Sequence, residues 1–398
     1  MDTKFRKVLT DVDEGVYEPS WELDSLCLEG QGEWKIEKKR LKGGRQDGVD
    51  LITVENGSLT FSVVPTRGMN LLDAYLQDFR FGWDSPVKEI VHPKHVDVES
   101  KNGTGFLVGF SELMARCGLE STGGPCREGD SNSDGESLFL PLHGRISNIP
   151  ARKVWVEVEF GEPARLTICG EIHERRMFGP SYVLKSRIST LSGSTQIDIV
   201  DSVINPSATS VEMELLYHTN FGPPLLGEGA RLLAPVKKVS AVDDFALKDV
   251  QNWDTFGPPT PERAEQCYFF KLFGDQNKES CVGLIDPNGE KAVQMRFNLD
   301  QLPCFTLWKN TAAIEDGYVA GLEPGTDYPN ARPFERQQGR VITLQPGDNY
   351  NTKVSLEFLN GRQDLINLQT QIESIQNNRE KKICTKIDPE LSAFTMKK

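Results

Sequence analysis

The chain has 398 residues, 38% hydrophobic and 26% charged, with a formal net charge of −13 and a pI near 5.1. A chain this long buries roughly three quarters of its unfolded surface, so a core forms without disulfide or metal staples. The acidic balance opposes nucleic-acid binding, whose affinity comes from clustered Lys and Arg, and the runs "KIEKKRLKGGR" and "REKK" read as solvated faces.

The first residues, "MDTKFRKVLTDVDEG", have neither the apolar stretch nor the small-residue cleavage site of a secretory signal. No apolar run approaches the ~18 residues of a membrane span, so no membrane partner is expected. The eight cysteines are scattered, with no C-x-x-C pair. They read as reduced thiols, and the expected location is cytoplasmic. Cys169, Cys281 and Cys304 lie in apolar, strand-like contexts, where a thiol acts as a small core hydrophobe. Nothing in the spacing suggests a zinc cluster.

From about residue 50 to 358 the chain reads as short strands between turns, beginning with "DLITVENGSLTFSVVP". "KVWVEVEFG", "ARLTICGEI", "SYVLKSRIST", "TQIDIVDSVIN" and "SVEMELLYH" follow, then "SCVGLID", "KAVQMRFN", "CFTLWKN" and "KVSLEFL". Alternation is clean in several: Val154, Val156, Val158 and Phe160 share one face, with Trp155, Glu157 and Glu159 on the other. "ENGS", "LSGS", "NPSA" and "PNGE" carry turn residues. Many strands with few helical windows predict an all-β sandwich rather than alternating βα units. No fixed-period repeat points to a propeller or solenoid. Residues 121–137, "STGGPCREGDSNSDGES", read as an exposed polar loop. In "RQDLINLQTQIESIQNNRE", residues 362–380, Leu365, Leu368, Ile372 and Ile375 recur at helical spacing. The amphipathic helix docks on the sandwich or on a second subunit, so a homo-oligomer is one outcome the sequence allows. The tail beyond it is expected to be poorly ordered. The division is thus an N-terminal extension (1–30), a sandwich domain (31–360), and a C-terminal helix with its tail (361–398).

Three polar positions sit at strand ends beside glycine. "PLHGRISNIPAR" carries His143 and Arg145 around Gly144, "LLYHTNFGPPLL" carries His218 and Asn220, and "YVAGLEPGTDYPNARPFERQQGR" carries Glu323 at the end of an apolar strand. Alternation puts Glu212, Glu214, Leu216, His218 and Asn220 on one face, leaving Val211, Met213, Leu215 and Tyr217 for the core. Alone, each histidine is more often a hydrogen-bonded structural residue, and a lone glutamate after a strand is usually solvated.

Together these stretches resemble the aldose 1-epimerase, or galactose mutarotase-like, superfamily, in an epimerase-related branch of unassigned function. The likeness runs over about residues 30–358, through "GVDLITVENG", "VVPTRGMNLLDA", "GFSELMARCGLES", "LHGRISNIPAR", "YHTNFGPPLL", "WDTFGPP", "LWKN" and "AGLEPGTDYPNARPFERQQGRVITLQPGD". It implies a large antiparallel β-sandwich with a sugar on its concave face. It also implies Glu323 as catalytic base, His218 as catalytic acid, His143 on a hydroxyl near the anomeric centre and Arg116 as a further sugar ligand. Asn220 and Arg145 are carried along as binding residues. Arg67 in "TRGMN" reaches the site or braces a turn. Trp308 and Lys309 of "LWKN" stand where the family has other residues; the tryptophan would stack on a pyranose and the lysine meet an acidic group. The family's hydroxyl-gripping aspartate has Asp243, Asp244 and Asp254 as candidates, and Arg332 and Arg336 would frame the rim near Glu323. The activity implied is anomer interconversion by acid–base ring opening, with a small-molecule sugar as partner and with no cofactor and no metal. A non-catalytic sugar-binding protein, or a sugar isomerase or lyase using the same pocket, are the competing readings; in the last, His143 and His218 are conceivable metal ligands.

Overall fold

Alternating valines make the plainest strand of the sandwich. In Lys153–Glu159, Val154, Val156 and Val158 are buried in the main core, and the strand pairs antiparallel on both sides, with Lys4–Asp11 and with Arg165–Arg175. The computed structural model describes residues 4–27, 32–128 and 138–394. These form a ten-stranded sheet, a fourteen-stranded sheet and a small two-stranded ribbon. The pairings between strands are antiparallel except one, where Lys382–Ile383 runs parallel to Val236–Ala241. Ile168, Ile188 and Ile199 of the smaller sheet interdigitate with Phe61, Leu71, Met213 and Leu215 of the larger one in a single apolar cluster. The architecture is a large antiparallel β-sandwich: all-β as the strand pattern predicts, and antiparallel as the resemblance implies.

Three segments differ from their sequence reading. The N-terminal residues are no appendage: Lys4–Asp11 extends the smaller sheet beside Lys153–Glu159, and Ser20–Asp24 forms an edge of the larger sheet beside Lys35–Arg40. Backbone pairing holds them, and Leu9, with Phe5, Trp21 and Leu23, packs on the main core between their polar residues. Of the supposed exposed loop, Ser121, Thr122 and Gly123 are buried, with Thr122 N–H donating to the strand residue Glu214 and Gly123 O accepting from His143 N–H; residues 129–137 lie outside the described residues. The tail after the helix is also packed. Leu391 is buried against Phe269, Cys304 and Tyr328, and the Asn330 side chain donates to Leu391 O at 2.9 Å and accepts from Ala393 N–H at 3.0 Å. Among the described residues no helix is long and apolar enough to cross a membrane.

The helix spans Arg362–Gln376 and buries Leu365, Leu368, Ile372 and Ile375 against Cys281, Ile285, Ala292 and Leu359 of the smaller sheet. Gly283 lets it approach closely, since a Cβ there would fall 2.6 Å from Leu368 Cδ2. Truncating Leu368 to alanine removes the apolar contact and leaves a cavity. We expect a loss of about 2–5 kcal/mol in urea unfolding.

Candidate active site

Five neighbouring strands of the larger sheet carry the site, in the order Gln266–Leu272, Cys304–Asn310, Val319–Gly325, Val211–Phe221 and Met114–Leu119. Register does the positioning. Thr219 pairs with Leu322 and Asn220 with Gly321, which sets His218 directly across from Glu323; on the other side Glu323 pairs with Thr306 and Gly321 with Trp308. Side chains alternate, so while Met213, Leu215 and Tyr217 enter the core, His218, Glu323, Thr306 and Trp308 share the outer face.

His218 Nε2 lies 3.1 Å from Glu323 Oε1, and the residues are only 4% and 2% exposed. Asn220 decides the tautomer. Its amide nitrogen donates to two backbone carbonyls, Glu112 O at 3.1 Å and His218 O at 3.2 Å, so Oδ1 must face the imidazole and accept from His218 Nδ1–H at 2.7 Å. Nε2 is left bare toward the glutamate. Burial pushes the Glu323 carboxyl well above its usual range, helped by the nearby Glu265 carboxylate. Burial also holds His218 well below an ordinary histidine, with His143 adding to the effect against the Asn220 hydrogen bond. The favoured arrangement is therefore a protonated carboxyl beside a neutral imidazole, with one transferable proton between them. The 3.1 Å approach is not aligned as a hydrogen bond, and among the described residues neither Glu323 Oε1 nor the Thr306 hydroxyl has a hydrogen-bond partner. Buried polar atoms of this kind are rare unless something else satisfies them.

His143 projects from a turn at φ 58°, with its ring centroid 5.4 Å from that of His218. Its Nδ1 donates to Thr122 O at 2.7 Å, since a carbonyl only accepts, and its Nε2 is bare. Burial lowers it to about 4, so the ring is neutral at neutral pH. Aromatic rings wall the histidines: Phe110 stands 4.9 Å and Trp308 5.3 Å from His218, and Phe106 stands 5.0 Å from His143. Trp308 Nε1 donates to Glu265 Oε2 at 2.7 Å. Gly321 keeps the floor open, because a Cβ there would lie 2.5 Å from Glu323 Oε1.

Glu323, His218, His143, Asn220 and Trp308 thus come together, although Asn220 is spent on the imidazole. The cationic candidates do not join them. Arg116 pairs with Tyr217 across the strands and so points into the sandwich; it binds Asp201 at 2.6 Å with no exposure, and Met69 O at 2.7 Å. Arg67 braces a turn, bonded to Glu112, to Asn148 at 2.8 Å and to Val91 O at 3.0 Å. Lys309 follows Trp308 and therefore faces the other way, donating to Asn252 O at 2.9 Å; burial lowers it to about 8. Arg145 turns outward to Glu99 at 2.6 Å. Arg332 and Arg336 pair with Glu128, and Asp243 caps the Asp244–Leu247 helix through Ala246 N–H at 2.8 Å. Sequence reasoning missed Phe106, Phe110, Thr306, Glu265 and Thr122. Only Thr306 had a signal, since it stands two residues before Trp308 in "CFTLWKN" and so shares its face.

Residues 46–358 match a family model described as "Domain of unknown function (DUF4432)". The chain belongs to this family. It is similar to a crystal structure of a "putative aldose 1-epimerase" from Klebsiella pneumoniae, at 35% identity over 96% of this chain and 98% of that one, with a TM-score of 0.91. A galactose mutarotase-like protein from Clostridium acetobutylicum shares the fold at 15% identity, 82% and 98% coverage and a TM-score of 0.55. So does a "putative aldose 1-epimerase" from Escherichia coli K12, at 15% identity, 79% and 100% coverage and a TM-score of 0.51. No curated protein matches. The DUF4432 chain therefore has a galactose mutarotase-like sandwich.

If Asn220 sets the imidazole, replacing its amide with a carboxylate should change the titration predictably. In Asn220→Asp an anion accepts the Nδ1–H bond and favours the charged ring, so the His218 pKa rises. Imidazole NMR against pH checks this; an unmoved His218 titration contradicts the assignment.

Proposed function

We propose that this protein is a carbohydrate epimerase that interconverts the anomers of an aldose, with Glu323 and His218 as its acid–base pair. The observation supporting this reading is their buried contact at 3.1 Å beside unsatisfied polar atoms on an aromatic-walled face. A cyclic hemiacetal carries its hydroxyl oxygen and its ring oxygen on the same carbon, so two groups in contact with each other reach both. One takes the hydroxyl proton while the other protonates the ring oxygen, the C1–ring-oxygen bond breaks, and the aldehyde forms. Rotation about C1–C2 presents its other face, and closure returns both protons by the reverse path. With the carboxyl protonated and Nε2 bare, the imidazole acts as base and the carboxyl as acid on opening, the reverse of the roles the resemblance implies, and the two exchange roles on closing. His143 Nε2, being bare, accepts from a sugar hydroxyl, and the Trp308 ring packs on the pyranose.

The substrate we infer is uncharged. The nearby cations Arg67, Arg116, Lys309 and Arg145 are bonded away from this face, whereas Glu265 adds a carboxylate beside Trp308. Free sugars should exchange faster than their phosphates or uronic acids by more than about tenfold, given the repulsion between like charges. Two-dimensional exchange NMR on matched sugars measures this; equal rates for a sugar and its phosphate sink the inference.

The same assay tests the pair. Glu323→Gln should slow anomer exchange by ~10²–10⁴-fold, and unchanged exchange removes Glu323 from the mechanism. In the wild type, kcat/KM should follow a bell with its plateau across neutral pH. As pH falls through the depressed His218 pKa, the pair gains a second proton and loses its base; as pH rises through the raised Glu323 pKa, it loses its only proton and its acid.

A further inference from the structure

Two more carboxyls are buried on the strands of the acid–base pair, and ring opening uses neither. Glu214 lies on the same strand as His218 and Asp327 just beyond Glu323, both with no exposed surface. Thr122 joins them. Its N–H donates to Glu214 Oε2 at 2.9 Å, and its hydroxyl lies 3.1 and 3.2 Å from the two Asp327 oxygens. Burial raises Glu214 to about 7 and Asp327 well above its usual range, with Arg332 and Glu335 the other charged groups facing them. Placing two carboxyls in a dry interior is unfavourable, and packing alone gives no reason for it.

What they hold points back to the site. The carbonyls of Thr122 and Gly123 both grip His143, the first through ring Nδ1–H at 2.7 Å and the second through its backbone N–H at 3.1 Å. His143 has φ 58°, in the left-handed region that side-chain residues disfavour, so its own backbone preference does not set the ring. Its neighbour Gly144 is pressed so closely on the same segment that a Cβ would fall 2.5 Å from Ser121 O. Residues 121–123 are the mould, and Glu214 and Asp327 keep the mould in shape.

We propose that Glu214, Asp327 and Thr122 form a positioning unit for His143, fixing its Nδ1–H on the Thr122 carbonyl so that a bare Nε2 faces the sugar. The sugar's part in this rests on the epimerase reading above; the imidazole geometry does not. The test is nitrogen-15 NMR of the histidines in the full chain, with no sugar present. Wild type should show His143 as the neutral Nδ1–H tautomer. Thr122→Val, which removes the hydroxyl but keeps the shape, should give a tautomer mixture and raise KM about tenfold, the equivalent of one hydrogen bond, with kcat changed much less. Thr122→Ser should restore both. Should Thr122→Val not fold, Asp327→Leu is expected to mix the tautomers while Asp327→Asn keeps the wild-type spectrum. A wild-type His143 spectrum in folded Thr122→Val or Asp327→Leu overturns the proposal. Absence of anomer exchange in the wild type would overturn the functional reading instead, and the spectrum would still decide this one.

Discussion

Taking an imidazole and a carboxyl out of water together is the constraint from which the rest of the site follows. In water, at neutral pH, the glutamate would be charged and the histidine mostly neutral, with no proton to exchange. Behind the aromatic wall both charged forms are penalised, so the carboxyl keeps a proton that the neutral imidazole can receive. That explains why so many rings surround two polar groups: Phe110 and Trp308 exclude the water that would ionise the glutamate. It also explains the asymmetry of support. His218 receives a dedicated orienting amide from Asn220, whereas Glu323 Oε1 has no hydrogen-bond partner among the described residues. A carboxyl pinned by donors would be pulled back toward ionisation and lose its proton.

The sheet separates two kinds of buried charge by the alternation of its strands. On the inner face Arg116 meets Asp201 of the opposite sheet, joined by the Tyr217 hydroxyl at 2.8 Å, and clamps the two layers together beneath the site. On the outer face, one residue along the same strands, lie His218 and Glu323, the pair we propose to exchange protons. A full salt bridge suits the inner position because both ions are bonded on several sides and nothing there has to change protonation state. The outer pair is neutral, and so can pass its proton without first breaking an ion pair.

How much of this was legible depended on whether neighbours along the chain or across it decided the outcome. Alternation and turn residues located the strands, and the spacing of Leu365, Leu368, Ile372 and Ile375 located the helix and its buried side. The same alternation put His218 and Asn220 on one face. It could also have turned Arg116 inward, because Arg116 pairs with Tyr217, already a core residue; but that pairing is a matter of register between distant strands, which a linear reading does not contain. Lys309 was legible and misjudged, since a residue adjacent to Trp308 in a strand cannot share its face. The N-terminal strands read as an extension and the C-terminal tail as poorly ordered, because single apolar anchors such as Leu9 and Leu391 make no periodic pattern. Main-chain pairing and the Asn330 amide, which depend on distant partners, complete their hold.

The tail and the histidine turn prove to be parts of one scaffold. Asn330, which clamps Leu391 and Ala393, packs its own backbone so tightly on Gly123 that a Cβ there would come within 1.6 Å of Asn330 O. Gly123 in turn holds the His143 backbone. A segment near the end of the chain therefore presses on the loop that shapes a side chain of the site, through contacts between backbones and one amide. Such a scaffold constrains geometry without contributing chemistry: backbone contacts hold the His143 turn, while strand register holds His218 opposite Glu323.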